Sequence, residues 1–152
     1  STAAIEGLGS LADFALDYDI NVIVENHGGY SSDGKWLMNV IRSVSRSNVG
    51  TLPDFGNFCI KGDYDGCEEW YDMYKGVAEL MPYAKSVSAK TYNFDSEGNE
   101  TKIDYNKMMK IVKDYNYKGF IGVEYSGMSG NISALEGIRL TKNLIIKYAK
   151  EI

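Results

Sequence analysis

Four ionisable residues stand at the ends of short apolar runs of strand type: Glu25, Asp54, Lys90 and Glu124. They follow one another at intervals of about 30 to 36 positions, which is the spacing of successive βα units. Because parallel strands of α/β proteins end at one edge, these side chains are expected to meet there. The three carboxylates suit a hard divalent cation such as Mg2+ or Mn2+, and two of them could also move protons. Without a cation they would repel one another, so a metal or Lys90 must offset their charge. The alternative is that they are solvated loop residues or helix N-caps.

The loops after these strand ends carry candidate substrate contacts. His27, the one histidine of the chain, lies two residues beyond Glu25 and is followed by two glycines that allow close backbone approach to a ligand. Asn57 offers a donor and an acceptor to a substrate hydroxyl, and Lys90 could anchor or polarise a substrate. Each has a structural alternative: a loop hydrogen bond for His27, an ordinary turn for Asn57 and an exposed strand end for Lys90. The turn at 127–130 lies where barrels often bind phosphate.

Amphipathic helices alternate with the short strands. Apolar residues recur at helical spacing in five segments: Ile5–Ala15, Leu37–Val44, Trp70–Met81, Met108–Tyr115 and Leu135–Tyr148. Strands are predicted at 21–25, 49–52, 86–90 and 120–124, with Pro53 ending the second. Short apolar strands that each precede one helix are typical of a parallel sheet, so the fold class is α/β.

The number of βα units limits the architecture. A (βα)8 barrel takes about 250 residues, whereas this chain has four units and opens with a helix that should follow an earlier strand. We therefore predict that residues 1–152 form a single domain, the C-terminal half of a (βα)8 TIM barrel. A complete four-stranded doubly wound domain is the alternative. A half-barrel standing alone would expose two strand edges, which would favour a homodimer.

Composition excludes several classes of function. The chain has 21 acidic and 16 basic residues, a formal charge of −5, and no cluster of Lys and Arg. Nucleic acid and anionic membranes are therefore not expected as partners, and no apolar run is long enough for a membrane helix. No signal segment precedes the first helix, which favours a cytoplasmic location; a periplasmic one stays open because the N-terminus looks processed. Cys59 and Cys67 match no metal pattern and are interpreted as free thiols.

Four segments together resemble the C-terminal half of the xylose isomerase-like sugar phosphate isomerase/epimerase barrels. They are Glu25-Asn26-His27-Gly28-Gly29, Asp54-Phe55-Gly56-Asn57, Ser86-Val87-Ser88-Ala89-Lys90 and Gly122-Val123-Glu124-Tyr125. The resemblance implies a (βα)8 barrel that holds Mn2+, Mg2+ or Zn2+ through a Glu, an Asp, a His and a Glu on its last four strands. The corresponding positions here are Glu25, Asp54, Ser88 and Glu124.

This sequence departs from the family pattern at three positions. Ser88 replaces the His ligand, and a hydroxyl is a poorer ligand than an imidazole. Asn57 replaces a His that contacts substrate in many relatives, and Ser126 follows the Glu124-Tyr125 pair where an acidic residue is more usual. These changes suggest a subgroup with altered substrate, weaker metal binding or lost activity.

The resemblance implies isomerisation or epimerisation of a sugar or sugar phosphate through an enediolate, with Glu25 and Glu124 exchanging the proton. His27, Asn57 and Lys90 would contact the substrate. A non-catalytic sugar-binding or scaffold protein is the alternative. A DNA repair nuclease with the same barrel would need many His ligands, whereas this chain has one His and a pI near 4.9.

Overall fold

The computed structural model describes residues 1–62, 66–127 and 132–151, and the predicted turn at 127–130 therefore falls largely outside the described residues. Helices and strands alternate along the chain. Their bounds are α1 Thr2–Leu16, β1 Val22–Glu25, α2 Gly34–Val44, β2 Val49–Leu52, β3 Cys59–Lys61, β4 Glu69–Trp70, α3 Met73–Leu80, β5 Val87–Thr91, α4 Tyr105–Asp114, β6 Ile121–Tyr125 and α5 Ala134–Glu151. Within the described part of the chain, none of the helices has both the length and the apolar character to span a membrane.

Four of the strands form one parallel array. β1 pairs with β2, and β5 pairs with β6, both in parallel. Two isolated parallel bridges, Thr51 to Ala84 and Asp54 to Ser88, connect β2 to β5. Backbone bonds support this junction, because Ser88 N donates to Pro53 O at 2.9 Å and Phe55 N donates to Ser88 O at 3.1 Å. The order is therefore β1-β2-β5-β6, and all four strands end at one rim.

The order of strands and helices is that of a barrel. The strands lie side by side in chain order, and each helix from α1 to α5 packs against the next. A doubly wound sheet would instead reverse its strand order and divide its helices between two faces. The predicted partial (βα)8 barrel is confirmed, and the doubly wound alternative is wrong.

Aspartates cap three of the helices. Asp33 accepts from Lys35 N at 2.9 Å and starts α2, and Asp104 accepts from Lys107 N at 3.0 Å and starts α4. Asp72 does the same for α3. These caps satisfy backbone N–H groups that have no partner within the helix, and they set where each helix leaves the rim.

The core lies between the sheet and the helices. One cluster fills the space under α3, α4 and α5, and a smaller one lies under α1 and α2. The predicted face of α2 is buried, as is that of α4 at Met108 and Val112. Leu135 and Ile138 of α5 follow the predicted helical spacing but are 78% and 46% exposed, because α5 packs on β6, at the edge of the sheet.

The segment after β2 differs from the prediction in two ways. Trp70 was expected in a helix, but it lies in β4, which pairs antiparallel with β3, and the helix begins only at Met73. The prediction of free thiols is also wrong, because Cys59 and Cys67 form a disulfide with Cα atoms 5.9 Å apart. The chain reverses in this hairpin and returns Cys67 to the neighbourhood of Cys59, a proximity that sequence spacing does not reveal.

Candidate functional site

Three carboxylates meet at the rim of the parallel strands. Glu25 ends β1, Asp54 follows β2 after Pro53, and Glu124 lies in β6. One carboxylate oxygen of each lies within 4.8 Å of those of the other two. β1, β2 and β6 are far apart in sequence, so only the parallel arrangement of the strands brings these groups together.

Asp54 is fully buried, and each of its carboxylate oxygens makes hydrogen bonds to protein groups. Its Oδ1 accepts from the backbone N–H groups of Gly56 at 2.9 Å and Asn57 at 2.8 Å. Its Oδ2 lies 2.7 Å from Ser88 Oγ. Burial raises the pKa of Asp54 to about 7, although the charge of Lys90 and the hydrogen bond from Ser88 oppose this rise. Asp54 is therefore poised between its neutral and ionised forms near neutral pH.

Glu124 is half exposed and pairs with a buried cation. Lys90 Nζ lies 2.6 Å from Glu124 Oε1, and the lysine side chain is only 7% exposed. Burial raises the pKa of Glu124, but the hydrogen bond and charge of Lys90 outweigh that effect, so the pKa lies below its usual value. Glu124 is ionised at neutral pH and is thus able to accept a proton.

Ser88 connects the two carboxylates. Its Oγ lies 2.7 Å from Asp54 Oδ2 and 2.9 Å from Glu124 Oε2. A hydroxyl has a single proton, so Ser88 can donate to only one of the two carboxylates at a time. The other carboxylate makes a hydrogen bond to Ser88 Oγ only if it is itself protonated. The raised pKa of Asp54 fits this arrangement. Ser88 therefore occupies the centre of the cluster, where the resemblance led us to expect a His.

The predicted substrate contacts differ in their surroundings. Asn57 is buried and donates through Nδ2 to Glu25 Oε1 at 3.3 Å, while Lys90 holds Glu124 as described. His27 is exposed, and its backbone N–H donates to Ser31 Oγ at 2.9 Å. The structure thus brings Asn57 and Lys90 into contact with the carboxylate cluster and leaves His27 beside it, on the loop.

One residue of the site was missed by sequence reasoning. Asn26 is fully buried, and its Oδ1 accepts from Asp54 N at 2.7 Å. Its Nδ2 donates to the carbonyls of Asp54 and Asn57, both at 3.1 Å. Asn26 therefore fixes the turn that presents Asp54. The available signal was a polar side chain directly after Glu25, at the same strand end that carries the candidate acid.

The donor set fits a hard divalent cation. The three ligand atoms gathered here are all carboxylate oxygens. Carboxylate oxygens are the preferred ligands of Mg2+ and Mn2+. Glu25, Asp54 and Glu124 are the residues that could hold such an ion.

The order of the strands and helices is that of an α/β barrel. The acidic site lies at the carboxyl ends of its strands. A family model described as the xylose isomerase-like TIM barrel matches residues 2–144. The chain belongs to this family. A search of curated proteins returned no match.

Several solved structures share the fold. A D-psicose 3-epimerase crystallised in the presence of D-fructose is 15% identical, with a TM-score of 0.63 over 93% of this chain and 53% of that one. A D-psicose 3-epimerase from Clostridium cellulolyticum H10 with D-tagatose is 11% identical, with a TM-score of 0.65, covering 96% and 54%. A D-allulose 3-epimerase from Methylomonas sp. is 18% identical, with a TM-score of 0.61, covering 97% and 54%. The chain spans about half the length of these structures.

Proposed function

We propose that this chain carries the acid/base half of a divalent-cation-dependent sugar isomerase or epimerase. The observation that carries the proposal is the triad of Glu25, Asp54 and Glu124, with one oxygen of each within 4.8 Å of the others at the rim. Membership of the xylose isomerase-like family supports the same reading. The structurally similar 3-epimerases, solved with D-fructose and D-tagatose, suggest ketohexoses as the first substrates to test.

In the proposed reaction, Glu25 and Glu124 exchange a proton with the carbon next to the substrate carbonyl. Glu124 is ionised at neutral pH and half exposed, so it can reach and deprotonate a bound sugar. Glu25, held by Asn57, donates a proton of its own to the resulting enediolate, so one turnover leaves Glu124 protonated and Glu25 ionised until proton exchange with solvent resets them. A cation held by Glu25, Asp54 and Glu124 would lower the pKa of that carbon by polarising the carbonyl and hydroxyl oxygens.

Lys90 and Asn57 orient the two glutamates and provide polar contacts to the sugar. Lys90 Nζ is 2.6 Å from Glu124 and Asn57 Nδ2 is 3.3 Å from Glu25, so each glutamate keeps one oxygen directed by a fixed donor. This restricts the carboxylates to one geometry before substrate arrives, which lowers the entropy cost of the reaction. His27, on the exposed loop beyond Glu25, is available to contact the outer end of a sugar.

We further propose that residues 1–152 are the C-terminal half of the barrel. The edges of the array, β1 and β6, and exposed apolar residues of α1 such as Phe14 at 63% and Tyr18 at 62% would then face the remaining βα units. A second copy of this chain is the other way to cover these edges. Either arrangement would supply the rest of the substrate pocket.

The test is turnover of ketohexoses with Mg2+ or Mn2+ by the complete protein and by Glu124→Gln and Glu25→Gln variants. Loss of a general acid or base typically costs roughly a hundredfold or more in rate, and we expect at least that from each substitution. Glu136→Gln is the matched control, because Glu136 is an exposed helix residue paired with Arg139. Unchanged turnover in both site variants would refute the proposal.

A non-catalytic sugar-binding protein is the second candidate. It is favoured by the Lys90–Glu124 ion pair at 2.6 Å, which already satisfies part of the charge that a cation would neutralise. Saturable sugar binding by calorimetry, without turnover or cation dependence, would identify this function.

A further inference from the structure

We infer that the disulfide between Cys59 and Cys67 is a thiol-exchange site that controls how firmly the candidate site is held. In the oxidised form the cross-link fixes the segment that follows residues 54–57, which we call the site turn. In the reduced form that segment is released, and Asn57 holds Glu25 less firmly. The effect on turnover rests on the proposed function, whereas the effect on the site turn does not.

The cross-linked hairpin continues directly from the site turn. Asn57 donates through Nδ2 to Glu25 Oε1 at 3.3 Å, and its backbone N–H donates to Asp54 Oδ1 at 2.8 Å. The next residue, Phe58, accepts from Tyr71 N at 2.9 Å, which ties the start of the hairpin to its end. β3 begins directly after Phe58, so only one residue separates it from Asn57. A movement of β3 is therefore transmitted to the site turn.

β3 also supports the loop that follows Glu25. It lies against the short 3-10 turn Gly29–Ser32, which belongs to that loop. Ser32 Oγ donates to the carbonyl of Asn57 at 2.7 Å and accepts from Gly28 N at 2.8 Å. The loop after β1 and the site turn after β2 are therefore joined at the base of the hairpin.

Apart from the disulfide, the described part of the hairpin has few bonds between its strands. Cys59 pairs with Trp70 and Lys61 pairs with Glu69, and the register shifts between these two pairs. Lys61 O accepts from Glu68 N at 2.8 Å, and the same two side chains form an exposed ion pair of the kind that contributes little. An isolated two-stranded hairpin is marginally stable at best in water. The disulfide is thus a principal connection between the two strands.

The two sulfurs differ in exposure, which directs the exchange. Cys59 is 2% exposed, whereas Cys67 is partly exposed. The thiolate of a dithiol reductant therefore attacks Cys67 Sγ, and the protein S–S bond breaks as an S–S bond to the reductant forms. Cys59 leaves with the electron pair and takes a proton from water. The second thiol of the reductant then releases Cys67, so the protein gains two electrons and two protons while the reductant becomes a cyclic disulfide.

Loss of the cross-link favours opening of the hairpin. A disulfide between residues eight positions apart restricts the open states of a short loop, and its removal favours those states by up to about a hundredfold. Opening at β3 frees the amides of Gly56 and Asn57, which donate to Asp54 Oδ1 at 2.9 and 2.8 Å. These two amides therefore report on the site turn without any substrate.

The experiment is hydrogen–deuterium exchange of the complete protein, oxidised and after reduction with dithiothreitol. We expect the amides of Gly56 and Asn57 to exchange about tenfold faster or more in the reduced form, and oxidised glutathione should restore slow exchange. The internal control is α4, where Met108 N donates to Asp104 O at 2.9 Å and exchange should not change. Faster exchange confined to residues 59–71, or no change on reduction, would overturn the inference.

A double variant, Cys59→Ser with Cys67→Ser, separates loss of the bond from other effects of the reductant. Its exchange at Gly56 and Asn57 should match that of the reduced wild type and should not respond to dithiothreitol. The reduced wild type differs from the oxidised form by two hydrogen atoms alone, so it decides the question if the variant does not fold. A variant that still responds to dithiothreitol at these amides would overturn the assignment to this disulfide.

Turnover of ketohexoses connects the exchange result to the proposed function. We expect reduction to lower turnover about tenfold or more, because Asn57 then orients Glu25 less firmly, and reoxidation should restore it. Unchanged turnover together with faster exchange at Gly56 and Asn57 would overturn the redox control of the site. Absence of turnover in both forms would refute the proposed function alone, because exchange at the two amides still decides whether the disulfide holds the site turn.

Discussion

Replacement of Asp54 by Asn should stabilise the cation-free protein, and on the proposed function it should also abolish binding of a divalent cation. Asp54 is buried, and its partners are two backbone N–H groups on Oδ1 and the Ser88 hydroxyl on Oδ2. An Asn keeps an oxygen for the two N–H groups, and its amide donates to Ser88. Ser88 can then direct its own proton to Glu124, so all existing contacts are retained without a buried charge.

The magnitude follows from the raised pKa of Asp54. Burial raises the pKa of Asp54 from its ordinary value of 3.8 to about 7. A difference of about three pKa units corresponds to about 4 kcal/mol. The folded state prefers the neutral acid, so this group's contribution to stability is fully present below pH 3.8 and is lost as the pH rises through about 7. The advantage of Asn over Asp should therefore be near zero at pH 4 and grow to about 4 kcal/mol by pH 9.

The assay is urea unfolding in EDTA at several pH values between 4 and 9, for wild type and Asp54→Asn. Asp114→Asn is the control, because Asp114 is an exposed partner of Lys110 and such pairs contribute at most about 1 kcal/mol. Calorimetry with Mg2+ should detect no binding to Asp54→Asn. An advantage of Asn that does not grow between pH 4 and 9, or a variant less stable than wild type at pH 9, would refute this account of Asp54.

Three further variants test the contacts that hold the site and the surrounding fold. Asn26→Ala should lower the free energy of unfolding by about 3 kcal/mol, because three buried hydrogen bonds to backbone groups are lost; urea unfolding measures this, and a loss below 1 kcal/mol would contradict it. Replacing both Cys59 and Cys67 by Ser should cost about 2 to 3 kcal/mol, as expected for a cross-link of short span, and an equal loss on reduction of the wild type would confirm that the bond is responsible. Gly137→Ala should lower the melting temperature, since its Cβ would overlap the Tyr125 ring and such overpacking costs about 1 to 3 kcal/mol; calorimetric melting unchanged from wild type would exclude that close contact.

Local patterns in the sequence predicted most of the framework. The helical spacing of apolar residues predicted α2 and α4 correctly. The apolar runs predicted the four parallel strands, and Pro53 correctly ended the second. The hairpin β3–β4 was missed, since Trp70 fits the helical spacing of Met73 and Val77, and two short strands carry no period of their own.

The sequence by itself determined which acids stand at strand ends. The apolar runs that form the strands, and the residue at which each run ends, are local features of the chain. It could not show that each acid already accepts a hydrogen bond from a protein donor, nor that Asn26 holds the turn from Asp54 to Asn57. These features depend on atoms from β1, β2, β5 and β6, which the parallel array brings within hydrogen-bond distance across separations of about thirty residues. The tertiary structure alone therefore decided the charge balance of the site and which side chains hold its carboxylates in place.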